Sequence, residues 1–221
     1  MKRFLLAAAV MLAFGTATAN AVELDKQGRD PQYVSTIISR AQKVTDALGI
    51  TGTDKGTQVL NIVANRYFKL NDIYSERDSI KKVAGTLTGD AKKQKQQEAE
   101  STKDMKLYRS HFGFIADLSL YLTDSEVEKV KDVMTYNVVN VTYKAQCDMI
   151  PTLKEEEKVQ ILAWLKEARE YAIDAESSKK KHEAFGKYKG RINNYLSKRG
   201  YNLTKEREEW AKRVKARGET L

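Results

Sequence analysis

Proline occurs only twice in this chain of 221 residues, and both copies stand where a helix begins or ends. Proline removes a backbone donor and clashes with the preceding turn, so confining it to boundaries leaves long stretches free to coil as helix. Asp30-Pro31 reads as an N-cap followed by a first helical residue, and Ile150-Pro151 closes one segment before Thr152 opens the next. A chain punctuated this way is expected to be all-α.

Apolar spacing supports that reading. Val34, Ile37, Ile38, Ala41, Val44 and Leu48 share one face of a helix predicted over 31–48, with Gly49 as its stop. A second helix, capped by Thr53 or Asp54, carries apolar residues at three- and four-residue steps from Val59 to Val83 and ends before Gly85. Gly85 to Asp90 reads as a turn. Residues 91–106 have almost no apolar stripe, so they form either a solvent-exposed helix or a linker, and their Ala, Lys, Gln and Glu content favours the helix. The spacing resumes at Met105, Tyr108, Phe112, Ile115, Leu118 and Leu122. Thr123 and Glu126 have the arrangement of a capping box, and Thr152 with Glu155 offers a second. The expected architecture is a bundle of six or seven helices, in which the long helices before and after Gly85 pack as an antiparallel hairpin.

The first 21 residues stand apart. Met1-Lys2-Arg3 is a short positive start, Phe4 to Phe14 an apolar run too short to span a bilayer, and Ala19-Asn20-Ala21 a small-x-small cleavage site. This predicts a signal peptide over 1–21, export to the periplasm or the extracellular space, and a single all-helical domain over 22–221. Export removes most nucleic-acid readings despite the net charge of +9. No later segment is apolar enough to span a membrane. The sole cysteine, Cys147, has no intramolecular partner, so the fold must rest on packing. Basicity is local: residues 176 to 221 hold 14 Lys and Arg against 6 Asp and Glu, which accounts for most of the net charge.

Thr135, Thr142, Lys144, Pro151, the 153–157 segment, Ile161-Leu162, Leu165-Lys166, Phe185, Tyr188-Lys189, Tyr195-Leu196 and Gly200 form a recognisable pattern, centred on Ala-Arg-Glu-Tyr-Ala-Ile-Asp at 168–174. It resembles a secreted bacterial family known as domain of unknown function 3826. Such proteins are often encoded beside carbohydrate-degrading enzymes, so the resemblance implies a glycan-related context and assigns no catalytic residue. A second, looser resemblance is the recurrence of leucine before a capping threonine, at Leu122-Thr123 and Leu203-Thr204, which is similar to the Leu-Thr-x-x-Gln motif of small periplasmic stress chaperones.

The helix expected from about Lys179 to Arg199 divides into three stripes. Phe185, Tyr188, Ile192 and Leu196 are apolar. Gly186, Gly190, Asn193 and Ser197 are small and should let another helix approach closely. Lys187, Arg191, Asn194 and Lys198 are polar and should face outward. The outward stripe is the candidate binding site, with Arg191 suited to bidentate recognition of carboxylates, sulfates or phosphates. Tyr188 and Tyr195, together with Tyr136, Tyr143, Trp164 and Tyr171, offer rings that would stack on sugars if they lined a cleft, or fill the core. Neither His111 nor His182 has a second ligand at metal spacing, and neither a nucleophile elbow nor a phosphate loop occurs, so no metal, cofactor or catalytic residue is assigned. Glu167, Glu170 and Asp174 lie opposite the stripe of Ile161, Leu165, Ala168 and Ala172 and read as an exposed acidic face. The leading expectation is a non-enzymatic binding or accessory protein for an acidic glycan or other polyanion. A holdase chaperone and a glycan-active enzyme are the alternatives.

Overall fold

The structure is a computed structural model, and it describes residues 21 to 220. The signal-peptide reading therefore falls, but for its last residue, outside the described residues. Among them are eight α-helices and no strand. These are α1 (Pro31–Leu48), α2 (Asp54–Gly85), α3 (Gly89–Ser119), α4 (Asp124–Met134), α5 (Val138–Met149), α6 (Glu155–Ala172), α7 (Ser178–Lys198) and α8 (Leu203–Ala216). The all-α class holds, and the count exceeds the expected six or seven. One cause is a break between α4 and α5. Tyr136 and Asn137 adopt positive φ angles of 59° and 56°, a left-handed conformation that neither glycine nor proline announces there.

Local signals explain most of the boundaries. Asp30 caps α1 through Tyr33 N–H, and Gly49 ends it in the left-handed conformation. Thr53 caps α2 by accepting from Gly56 N–H. Thr123 and Glu126 close a full capping box on α4. The second expected box does not form: α6 begins after Lys154, whose N–H donates to Glu157 Oε2 at 2.9 Å but whose ammonium cannot accept a cap bond, and Thr152 belongs to the turn before it.

α2 and α3 form the long hairpin, joined by residues 86–88, and residues 91–106 lie within α3. One apolar cluster joins α1, α2, α4 and the C-terminal part of α3 around Phe68, Val63, Leu118 and Val130, and Ile173 just past α6 reaches into it. A second joins α5 to α8 around Ile161, Leu165, Phe185, Ile192 and Leu196. Each cluster buries the stripe that 3.6-residue periodicity places inward. The far half of the hairpin has little apolar packing. Its buried contacts are the small side chains Ala84 and Ala99, and Lys81–Glu100 at 3.0 Å and an ion pair between Lys106 and Glu76 tie its two arms together.

The α7 stripes sort differently from expectation. Phe185, Ile192 and Leu196 are buried, and Lys187, Arg191, Asn194 and Lys198 face outward. The small stripe is not a helix contact: Gly186, Gly190 and Ser197 are exposed, and a methyl group added at either glycine would touch nothing within 4 Å. No helix among the described residues is long and apolar enough to cross a membrane.

Candidate functional site

Where the hairpin passes the C-terminal end of α6 and the N-terminal half of α7, it leaves a cleft of about 740 Å³. α3 reaches this place with two apolar faces. Phe112 and Phe114 are two residues apart and so point nearly opposite ways on a helix. Phe114 and Leu118 are buried in the first core, whereas Tyr108 and Phe112 are 69% and 57% exposed and line the cleft. The spacing of Tyr108 and Phe112 thus marks a wall of the cleft rather than a continuation of the core, and Met105, one turn earlier, is exposed outside it. Tyr108 and Phe112 pack edge to face at 5.0 Å. Across the opening stands Tyr171, 63% exposed, stacked on Tyr188 at 6.4 Å.

The floor is polar. His111 Nδ1 lies 2.9 Å from Asp174 Oδ2, and its Nε2 lies 3.4 Å from Glu170 Oε2. Asp174 also takes a hydrogen-bonded ion pair from Arg66, a side chain only 2% exposed, which donates in addition to Ser110 Oγ at 2.7 Å. The Tyr74 hydroxyl donates to the Asp174 carbonyl at 2.8 Å. On the other side, Glu170 accepts from Lys131 at 3.2 Å and faces Arg169, whose guanidinium donates to Asp132 at 2.6 Å and to Glu128. A continuous row of alternating charges therefore runs beneath the cleft from α2 and α3, through the C-terminal end of α6, to α4. The residue face of Glu170 and Asp174, read from the sequence as an exposed acidic surface, is the joint between the hairpin and α6.

Electrostatics fixes the protonation of this row. Hydrogen bonds to Asp174 first, and then to Glu170, push the His111 imidazole up to about 9, so it is a cation at neutral pH. Burial opposes ionisation of Glu170, but the hydrogen bond from His111, with Lys131 and Arg169 nearby, outweighs it and holds the carboxyl at about 2. Glu170 is consequently a hydrogen-bond acceptor and a poor proton donor. Around the rim, Arg77 pairs with Glu176 at 2.7 Å, Lys103 with Glu100 and with Asp104 at 3.1 Å, and Lys180 with Glu183 at 2.8 Å. Lys187 lines the cleft without an ion pair among the described residues. The lining is rich in fixed donors and acceptors and close to neutral in total.

Of the residues singled out on α7, Lys187 borders the cleft and Tyr188 stands behind Tyr171. Arg191 lies over the Trp164 ring at 4.5 Å and 3.5 Å from Glu167. Tyr195 meets the edge of Trp164 at 5.1 Å. Asn194 and Lys198 are exposed further along the same helix. Tyr143 packs beside the second core, and Tyr136 stacks on His182 at 5.5 Å away from the cleft. Sequence reasoning missed His111, Tyr108 and Phe112. The phase difference between Tyr108-Phe112 and Phe114-Leu118 was the available signal.

Among the described residues no group of three or more His, Cys, Asp or Glu side chains is arranged to hold a metal ion. A family model, described as a protein of unknown function (DUF3826), matches residues 34–216. No curated protein matches the chain.

Proposed function

The chain belongs to the DUF3826 family of proteins of unknown function, and from the geometry of the cleft we propose that it is a non-enzymatic carbohydrate-binding protein, exported to act as an accessory in glycan handling. The observation that carries the reading is the set of exposed rings, Tyr108, Phe112 and Tyr171, on both sides of a cleft whose floor is a row of paired charges. Exposed aromatic side chains converging on a concavity mark a binding site. A sugar ring offers them an apolar face of C–H groups and offers the polar rim hydroxyls that both donate and accept. Carboxylates and cations already locked in mutual pairs supply both kinds of partner without a strong net field. The low proton affinity of Glu170 favours binding over glycoside cleavage, which needs a carboxyl kept protonated.

Affinity electrophoresis through gels containing neutral or acidic polysaccharides tests this, with Tyr108→Ala/Phe112→Ala as the comparison. Retardation by at least one polymer, weakened about tenfold or more in the double variant, is the expected result. Migration that no polymer alters would sink the proposal. Suppression of aggregation of unrelated proteins, lost in the same variant, would assign the rings to unfolded chains and make the protein a holdase. Release of shortened sugars, abolished by Glu170→Gln, would make it an enzyme.

A further inference from the structure

A row of flat side chains leaves the cleft and continues along the seam between α6 and α7. Tyr171, at the cleft edge, stacks on Tyr188 at 6.4 Å. Next along the antiparallel pair, Arg191 covers Trp164 at 4.5 Å, Trp164 meets Tyr195 at 5.1 Å, and Arg199 covers Tyr195 at 4.6 Å. From Tyr188 to Arg199 the helix advances about 16 Å. None of this row is deeply buried: Trp164, Tyr188 and Tyr195 are half-buried, and Tyr171, Arg191 and Arg199 are exposed.

Core packing accounts for only one side of this series. The fully buried face of α7 is supplied by Phe185, Ile192 and Leu196, and Trp164, Tyr188 and Tyr195 pack against its edge while remaining half-exposed. The charge along the row is one-sided. Residues 187–199 contain Lys187, Lys189, Arg191, Lys198 and Arg199 and no acidic residue. Opposite them on α6, Glu167 faces Arg191 at 3.5 Å, while Glu156 and Glu157 face Arg199 at 3.8 and 3.5 Å. Lys187 and Lys198, on the ring side of α7, have no ion pair among the described residues, which leaves a cationic surplus beside the rings.

We infer that this row extends the cleft into a track for a linear, carboxylate-bearing polysaccharide, with sugar rings lying on the aromatic planes and Lys187, Arg191 and Lys198 taking the carboxylates. The inference rests on the carbohydrate-binding reading of the cleft and adds to it both an extended chain and an acidic one. The guanidinium groups over Trp164 and Tyr195 each use one Nη toward a glutamate of α6, and the other N–H groups of these exposed side chains can donate to a carboxylate on the ligand. Continuity at Tyr171 is what joins track and cleft, since that ring belongs to both.

The test titrates the full chain with oligogalacturonates and with cello-oligosaccharides, each graded from trimer to octamer. Wild-type protein should bind the acidic octamer about tenfold more tightly than the acidic trimer. Arg191→Gln, which alters an exposed side chain and spares the core, should remove most of that gain and leave trimer affinity within about twofold. Trp164→Ala should do the same, with a thermal melt to show that the variant is folded. A gain with length that both variants retain overturns the track. So does an equal gain in the neutral series, because the carboxylates then contribute nothing. Failure of the cleft reading looks different: trimer binding would be absent, or would survive Tyr108→Ala/Phe112→Ala unchanged.

Discussion

The two apolar cores and the joint between them are built from opposite materials. Within each core, leucine, isoleucine, valine and phenylalanine exclude water and carry no polar obligations. Between the hairpin and α6, contact passes through Arg66, Asp174, His111, Glu170, Lys131 and Arg169, side chains that must satisfy one another. Apolar packing is tolerant of approximate shape and supplies most of the stability. A buried charged row supplies little net stability, fails badly when one member is lost, and fixes geometry. That division suits a binding cleft, whose walls must keep their spacing while its floor stays polar.

The contrast can be broken from either side. Phe185→Ala empties a fully buried site in the second core and should cost about 4 kcal/mol in urea unfolding, with the cleft unchanged until the protein unfolds. Asp174→Asn should cost about 3 kcal/mol, because the Arg66 guanidinium is left buried without its counter-charge. It should also weaken ligand binding in protein that is still folded, since His111 loses its main partner. If Phe185→Ala disturbed binding in the folded state and Asp174→Asn did not, the assignment of roles would be reversed.

How far the sequence reveals these regions follows from the same contrast. Cores are legible because one stripe per helix repeats along the chain. Ile37, Ala41 and Val44 in α1 and Phe185, Ile192 and Leu196 in α7 are buried where their spacing places them. The joint is not legible, because it depends on which helices meet. Glu170 and Asp174 lie opposite the apolar stripe of α6 and look solvated until the hairpin is set against them. Tyr136 and Asn137 show a similar limit: their left-handed backbone divides α4 from α5 at an asparagine, which tolerates it, and at a tyrosine, which gives no sign of it.

Two buried cations sharpen the comparison through pH. His111 belongs to the joint, and its raised value of about 9 means that the folded state binds the proton more tightly than the unfolded chain, whose histidine titrates near 6.5. Its contribution is complete below about 6.5 and is lost as the pH rises through 9. Lys181 is tucked against the first core, donates to the Met134 carbonyl at 2.8 Å, and is pushed down to about 8 by burial with no carboxylate hydrogen-bonded to it. Its sign is opposite: it costs stability below 8, and the cost is relieved between 8 and its ordinary value. From pH 6.5 to 8 only His111 should act, and the melting temperature should fall by about 3 °C after allowance for solvent screening. The same pair of melts on His111→Gln should show no such fall. A fall that persists in the variant would place the titration elsewhere.

The smallest expected effect marks where the second core ends. Gly186 and Gly190 lie in the middle of α7, and nothing stands within 4 Å of the methyl group that alanine would add. In a helix interior, glycine is less favourable than alanine by roughly 1 kcal/mol, because it loses more backbone freedom on folding. If the outer surface of α7 packs against no other part of the chain, Gly190→Ala should stabilise the protein by about 0.7 kcal/mol in urea unfolding, and Gly186→Ala by a similar amount. The two changes should add, since neither methyl would touch a shared neighbour. A loss of stability would mean that another helix, from this chain or a second copy, approaches that stripe closely. The core would then extend around α7, and the track along the α6–α7 seam would be partly covered.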